Sequence, residues 1–169
     1  LNIILIGFKN SGKTTLGKKL ASYLEWSFFD TDEALLAKYK KSSISELYTD
    51  LGEAKFREEE QKILEAMNCT QTVIALGGGS LHEGTEKTIA TLGLVVYLKL
   101  PKSEVLQRKP WPSFIKTEQE AEALFEKRVA LFEKVAFWDI FNLEVLFLDE
   151  CNEDILLKTQ TQSMLKPLD

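Results

Sequence analysis

Cysteine is scarce in this chain, and its two copies, Cys69 and Cys151, stand far apart with no metal-ligand spacing. That argues against a disulfide-stapled scaffold and a cysteine-rich zinc site, and it suits a reducing compartment. Histidine is scarcer still. His82 is the only one, which excludes paired-histidine zinc motifs, and it is expected on a loop without chemistry. No apolar run reaches the ~20 residues that a membrane helix needs. The chain opens directly into a strand-like segment with no secretory leader, so a cytoplasmic location is expected, and Leu1 in place of Met gives the expectation that a few residues precede it. Positive charge is short as well: 21 Lys and Arg against 26 Asp and Glu leave a formal charge of −5. Counterion release then offers nucleic acid no footing, so neither a nucleic-acid nor a membrane partner is expected. An anionic ligand would have to be captured by local cations set in an acidic field.

What remains is ordinary globular material, 169 residues with 44% hydrophobic and 28% charged. That is enough for one domain with its own core, expected as a monomer. Apolar runs at 3–6, 27–29, 72–76 and 94–99 read as buried strands, and a last strand falls within 137–148, where 137–141 and 143–148 are both suitable. Between and after them, helical patterns occupy 13–24, 31–39, 43–50, 53–67, 84–91, 102–107, 118–135 and 153–165. Such alternation predicts an α/β fold, a parallel sheet with helices on both faces. The stretch Lys109-Pro110-Trp111-Pro112-Ser113-Phe114-Ile115-Lys116 has no periodicity. Its prolines forbid a continuous helix, and its aromatics need something to cover, so a flap over about 109–117 is expected between core segments 1–107 and 118–169.

The segment Gly7-Phe8-Lys9-Asn10-Ser11-Gly12-Lys13-Thr14 fits G-x-x-x-x-G-K-[ST]. It stands between a predicted strand and a predicted helix, the context that makes this pattern a phosphate site. Backbone N–H groups and the helix N-terminus face the phosphates. Lys13 is expected to reach the outer phosphates and the Thr14 hydroxyl to take a position on Mg²⁺, so the ligand is a nucleoside triphosphate.

Asp30 and Asp32 follow the second strand, at the carboxyl edge where open α/β sheets bind ligands. One can support Mg²⁺ and the other can orient or deprotonate an attacking hydroxyl. At about 100° per residue, Arg128 lies within about 60° of Ala121, Leu124, Phe125, Leu131, Phe132 and Val135, facing the interior. A guanidinium keeps its charge, so it needs an anion there. Arg57, three residues before Glu60, can pair with it and keep other donors for a ligand. Gly77, Gly78 and Gly79 end the third strand and present bare backbone to an anion.

The P-loop, Asp30-Thr31-Asp32, Gly52-Glu53…Phe56-Arg57…Glu60, Gly77-Gly78-Gly79 and Arg128…Ala136 together resemble shikimate kinase over nearly the whole domain. The resemblance implies a P-loop kinase with a five-stranded parallel sheet in order 2-3-1-4-5, phosphorylating the 3-hydroxyl of shikimate with ATP and Mg²⁺ in aromatic amino-acid biosynthesis. It implies nucleotide contacts at Gly7, Asn10, Ser11, Gly12, Lys13, Thr14 and Thr15, and metal support from Thr14 and Asp30. Asp32 would hold the substrate hydroxyls and, with Lys13, carry catalysis. Arg57 and Arg128 would clamp the shikimate carboxylate, Gly77–Gly79 would offer backbone donors, chiefly from Gly78, and Tyr48 and Phe56 would wall the ring.

The chain departs from the family in its flap. Where the family carries Arg-Pro-Leu-Leu, this sequence has Lys109-Pro110-Trp111-Pro112, which makes Lys109 the candidate catalytic lid cation without the planar two-point grip of arginine. Arg108 resembles the family's adenine-stacking arginine, or it serves the phosphates instead. Asn10 stands where the family often has a small residue, and the segment after Ala136, which leads to the adenine-side loop near 149–152, is richer in aromatics than the family pattern. Two other functions remain compatible with the sequence. One is a gluconate or nucleotide kinase, and the other is a regulatory nucleotide-binding module whose altered lid has cost it catalysis. No N-K-x-D motif supports a GTPase.

Overall fold

The computed structural model describes residues 1–108, 111, 112 and 114–141, the side chains of 140 and 141 excepted. Lys109, Cys151, the 149–152 loop, the alternative strand at 143–148 and the predicted helix at 153–165 lie outside the described residues.

Five strands, β1 (Ile3–Ile6), β2 (Ser27–Asp30), β3 (Thr72–Ala75), β4 (Leu94–Lys99) and β5 (Trp138–Phe141), form one parallel sheet in the order β2-β3-β1-β4-β5. The central strands read as continuous apolar runs because both faces of the sheet are covered. Odd and even residues part accordingly. Ile4, Ile6, Ile74, Val95 and Tyr97 pack with Leu64, Ile89, Phe125 and Phe132 on one face. Ile3, Leu5, Val73, Val96 and Leu98 meet Leu16, Leu20 and Ala21 on the other. Burying each such side chain contributes about 1.5–3 kcal/mol.

The helices are α1 (Lys13–Leu24), α2 (Thr31–Tyr39), α3 (Ile44–Glu65), α4 (Glu86–Leu92), α5 (Lys102–Gln107) and α6 (Glu118–Val135). The two helices expected at 43–50 and 53–67 join end to end in α3, which breaks at Gly52 with φ 72° and ψ 164°. Only glycine takes that backbone conformation without strain. The break lets Tyr48, before it, and Phe56, after it, meet edge-on with ring centroids 5.3 Å apart. Glu59, buried on α3, accepts from Lys38 of α2 at 2.6 Å and from Lys62 at 3.0 Å. These ammonium groups, with the Tyr39 hydroxyl, hold its carboxyl well below the usual range.

α6 opens with a capping box between Thr117 and Glu120. Its inward face places Ala121, Phe125 and Phe132 in the core, as the spacing around Arg128 predicts.

Candidate active site

β1 delivers the chain into the phosphate loop. Residues Asn10–Thr15 line a cradle of about 270 Å³ at the N-terminus of α1. Lys13 is buried, and its Nζ donates to the Gly7 and Phe8 carbonyl oxygens at 3.0 and 2.7 Å. Burial pushes its ammonium down to about 8; Asp32 and Asp30 oppose that shift, and Arg128 adds to it. Thr15 stands exposed on the cradle wall. Asn10 adopts φ 62°, a left-handed conformation that asparagine tolerates, and its carbonyl oxygen accepts from Arg108 Nη1. The other arm of Arg108 pairs with Glu104 at 2.8 Å. Arg108 is therefore attached to the phosphate loop itself.

Asp30 ends β2 and caps α2, its Oδ1 accepting from the Asp32 and Glu33 amides at 2.9 and 3.3 Å. Its Oδ2 accepts from Thr14 Oγ1 at 2.8 Å. The expected metal pair thus meets across the cradle mouth. Among the described residues no cluster of three or more His, Cys, Asp or Glu could hold an ion. This donor set fits Mg²⁺, which is bound through one or two protein oxygens, water and phosphates rather than an all-protein cage. Asp32 points elsewhere. Burial first, then Asp30 and Glu60, push its carboxyl up to about 6, while Lys13 and Lys9 oppose the rise.

Beside the cradle lies a cavity of about 160 Å³, with Asp32, Arg57, Arg128 and Gly78 in its wall. Arg57 Nη1 donates to Glu60 Oε2 at 2.5 Å and to the Gly79 carbonyl oxygen at 3.0 Å. Glu60 is 2% exposed, so this pair is no solvated surface bridge. Its second oxygen accepts from Ser80 Oγ at 2.8 Å. Arg128 makes no hydrogen bond or ion pair with any described residue. Burial and the nearby Arg57 push its guanidinium down to about 10, with Glu60 opposing.

The triple glycine has a steric cause. A Cβ on Gly77 would collide with Asp32 Oδ1, and one on Gly79 with the Arg57 guanidinium, while Gly78 sits 3.3 Å by the same measure from the Lys9 amide nitrogen. Above the cavity, Phe114 packs on Tyr48 with centroids 5.4 Å apart. Trp111 lines the same space, its Nε1 donating to the Leu106 carbonyl oxygen at 3.1 Å. Trp111, Pro112 and Phe114 of the stretch expected as a flap thus contribute to the wall of this cavity.

The structure gathers Asp32, Tyr48, Phe56, Arg57, Gly78, Gly79 and Arg128 around one cavity, with Gly77 pressed on Asp32. Gly7 and Asn10–Thr15 form the neighbouring loop. Lys109, the expected lid cation, is outside the described residues. Sequence reasoning missed Lys9 as a cavity residue and Ser80 as a partner of Glu60. The P-loop pattern leaves the Lys9 position unrestricted, and a serine after glycines reads as a turn.

A phosphate cradle on a 2-3-1-4-5 parallel sheet, beside a cavity with two arginines and a carboxylate, defines a P-loop kinase acting on a small anionic acceptor. A family model described as Shikimate kinase matches residues 9–142. The chain is 37% identical over 133 residues to the shikimate kinase of Chlamydia pneumoniae, covering 75% of this chain and 76% of the relative. Among solved structures, the shikimate kinase of Acinetobacter baumannii in complex with shikimate aligns with TM-score 0.75 at 30% identity, over 89% of this chain and 93% of that one. The Aquifex aeolicus vf5 shikimate kinase aligns with TM-score 0.78 at 27% identity, over 96% and 98%. The chain belongs to the shikimate kinase family.

Proposed function

We propose that this protein transfers the γ-phosphoryl group of ATP to the 3-hydroxyl of shikimate, a step in aromatic amino-acid biosynthesis. The observation that carries this reading is the pair of guanidiniums, Arg57 and Arg128, facing one cavity with Asp32 beside the phosphate cradle. Two arginines there match a carboxylate, and a nearby Asp matches a hydroxyl.

In this reading the carboxylate of the acid lies against Arg57 and Arg128, with Tyr48 and Phe56 walling its ring and Gly77–Gly79 offering backbone contacts, the Gly78 N–H first. Asp32 accepts the 3-hydroxyl proton. Lys13 leaves its loop carbonyls for the outer phosphates, which the loop amides hold. Thr14 and Asp30 would hold Mg²⁺, Asp30 through water, and the ion supplies charge neutralisation on the phosphates. Arg108 steadies the nucleotide side of the loop, and Lys109 is the proposed lid cation. The flap over 109–117 excludes water and so limits wasteful hydrolysis. The chain works as one kinase domain, as a monomer in the cytoplasm. No helix among the described residues is long and apolar enough to cross a membrane.

A coupled ADP-release assay across shikimate, gluconate and nucleoside monophosphates tests the reading. Turnover with shikimate is expected; its absence, with turnover on another acceptor or tight ATP binding alone, overturns it.

A further inference from the structure

We propose that Lys9 is a further catalytic residue of this phosphoryl transfer, its ammonium contacting the phosphoryl oxygens as the group passes from the cradle to the acceptor hydroxyl. The inference rests on the function proposed above.

Lys9 stands at the seam between the two halves of the site. The next residue, Asn10, begins the cradle wall, while Lys9 itself lines the acceptor cavity with Asp32 and Arg128. It also lines a smaller cavity of about 40 Å³ beneath the flap, with Arg108 and Trp111. Its backbone abuts Gly78.

The other described cations of the site are committed or placed elsewhere. Lys13, inside the loop, is taken by the outer phosphates in the reading above, Arg57 donates to Glu60 and Gly79, and Arg108 donates to Glu104 and Asn10. Arg128 lies within the acceptor cavity beside Gly78 and Arg57, where it faces the carboxylate of the acid. Lys9 makes no hydrogen bond or ion pair with any described residue. Among the described residues, the seam thus holds one cation with no hydrogen-bonding partner.

The chemistry gives it a task. The bond between the γ-phosphorus and the β,γ-bridging oxygen breaks, its electron pair leaving with ADP. A bond from phosphorus to the 3-oxygen of the acid forms, and the hydroxyl proton passes to Asp32. Negative charge spreads over the phosphoryl oxygens between the cradle and the cavity, and a cation that reaches them there lowers the barrier.

Lys9→Met keeps most of the length of the side chain and removes its charge. The expected result is a fall in kcat of about 10²-fold, with KM for shikimate within twofold and an unchanged Tm. Lys9→Arg should recover most of the rate. Binding gives a second readout: with shikimate present, ADP–aluminium fluoride should bind the Met variant about 10²-fold more weakly, while ADP alone binds equally. An unchanged kcat would overturn the proposal, as would a rise in KM with kcat kept, which would make Lys9 part of the acid clamp. Wild-type protein inactive on shikimate would remove the underlying function; active wild type with an equally active Met variant would remove only the role of Lys9.

Discussion

Gly77 and Asp32 are packed so closely that a Cβ on residue 77 would overlap the Asp32 carboxylate. The Gly77 amide also donates to Thr31 Oγ1 at 2.8 Å, which fixes the strand end against the start of α2. Gly77→Ala should therefore displace the proposed base without unfolding the protein. A misplacement near 1 Å costs about 10²-fold in rate. Steady-state kinetics with a matching circular dichroism spectrum check this, and wild-type kcat would place the base elsewhere.

Among the described residues Arg128 has no hydrogen-bonding or ion-pair partner, and burial opposes its charge. The folded pKa of a base lowered in this way means that the charge costs stability at neutral pH. Arg128→Met should raise the Tm of the ligand-free protein by a few degrees and raise KM for shikimate by about 10²-fold, the loss of a charged hydrogen bond. Calorimetry and kinetics on one preparation separate the two effects. A lowered Tm would give Arg128 a structural role.

The Asp32 carboxyl, pushed up to about 6 mainly by burial, sets an acid limb. kcat/KM should fall tenfold per pH unit below about 6 and level off above it, since the proposed base must be unprotonated. Stability runs the other way. Between the ordinary aspartate value and about 6 the folded state binds more protons than the unfolded, so Asp32 removes up to about 2–3 kcal/mol as pH rises through that window. Asp32→Asn should flatten that slope in denaturant titrations and abolish turnover.

Lys13, lowered to about 8 by burial, predicts an alkaline counterpart. ATP affinity of the free protein should weaken as pH rises past about 8, where the ammonium loses its proton. Titration calorimetry from pH 7 to 9.5 reads this directly, and a flat profile would contradict it.

Phe114 reaches Tyr48 across the cavity, and Trp111 lines the same wall. Shikimate should change the tryptophan emission, and Trp111→Phe should remove most of that change. Phe114→Ala should raise KM about 3–10-fold, as expected for an aromatic contact of about 0.5–1.5 kcal/mol. Fluorescence that ignores the acid in wild-type protein would separate the flap from binding.

The sheet was legible because Ile3–Ile6, Thr72–Ala75 and Leu94–Lys99 are covered on both faces and so read as apolar runs. The last strand was ambiguous because, among the described strands, β5 pairs with β4 alone, and its Asp139 breaks the apolar run. The arginine positions were legible from helical periodicity, since an inward guanidinium among Ala121, Phe125 and Phe132 is a contradiction only a ligand or a carboxylate resolves. The Ser80–Glu60 bond and the attachment of Arg108 to Asn10 were not. Each joins residues 20 to 98 positions apart, and pairings at that distance leave no periodic trace.

The interruption at Gly52 divides the wall of the acid cavity between two lengths of one helix. Tyr48 rides on the first and Phe56 on the second, yet both rings belong to the cluster built on Leu35 and Leu47. An acid seated against that touching pair would bear on both lengths at once, so the bend acts as a hinge already bolted shut on the side that meets the ligand.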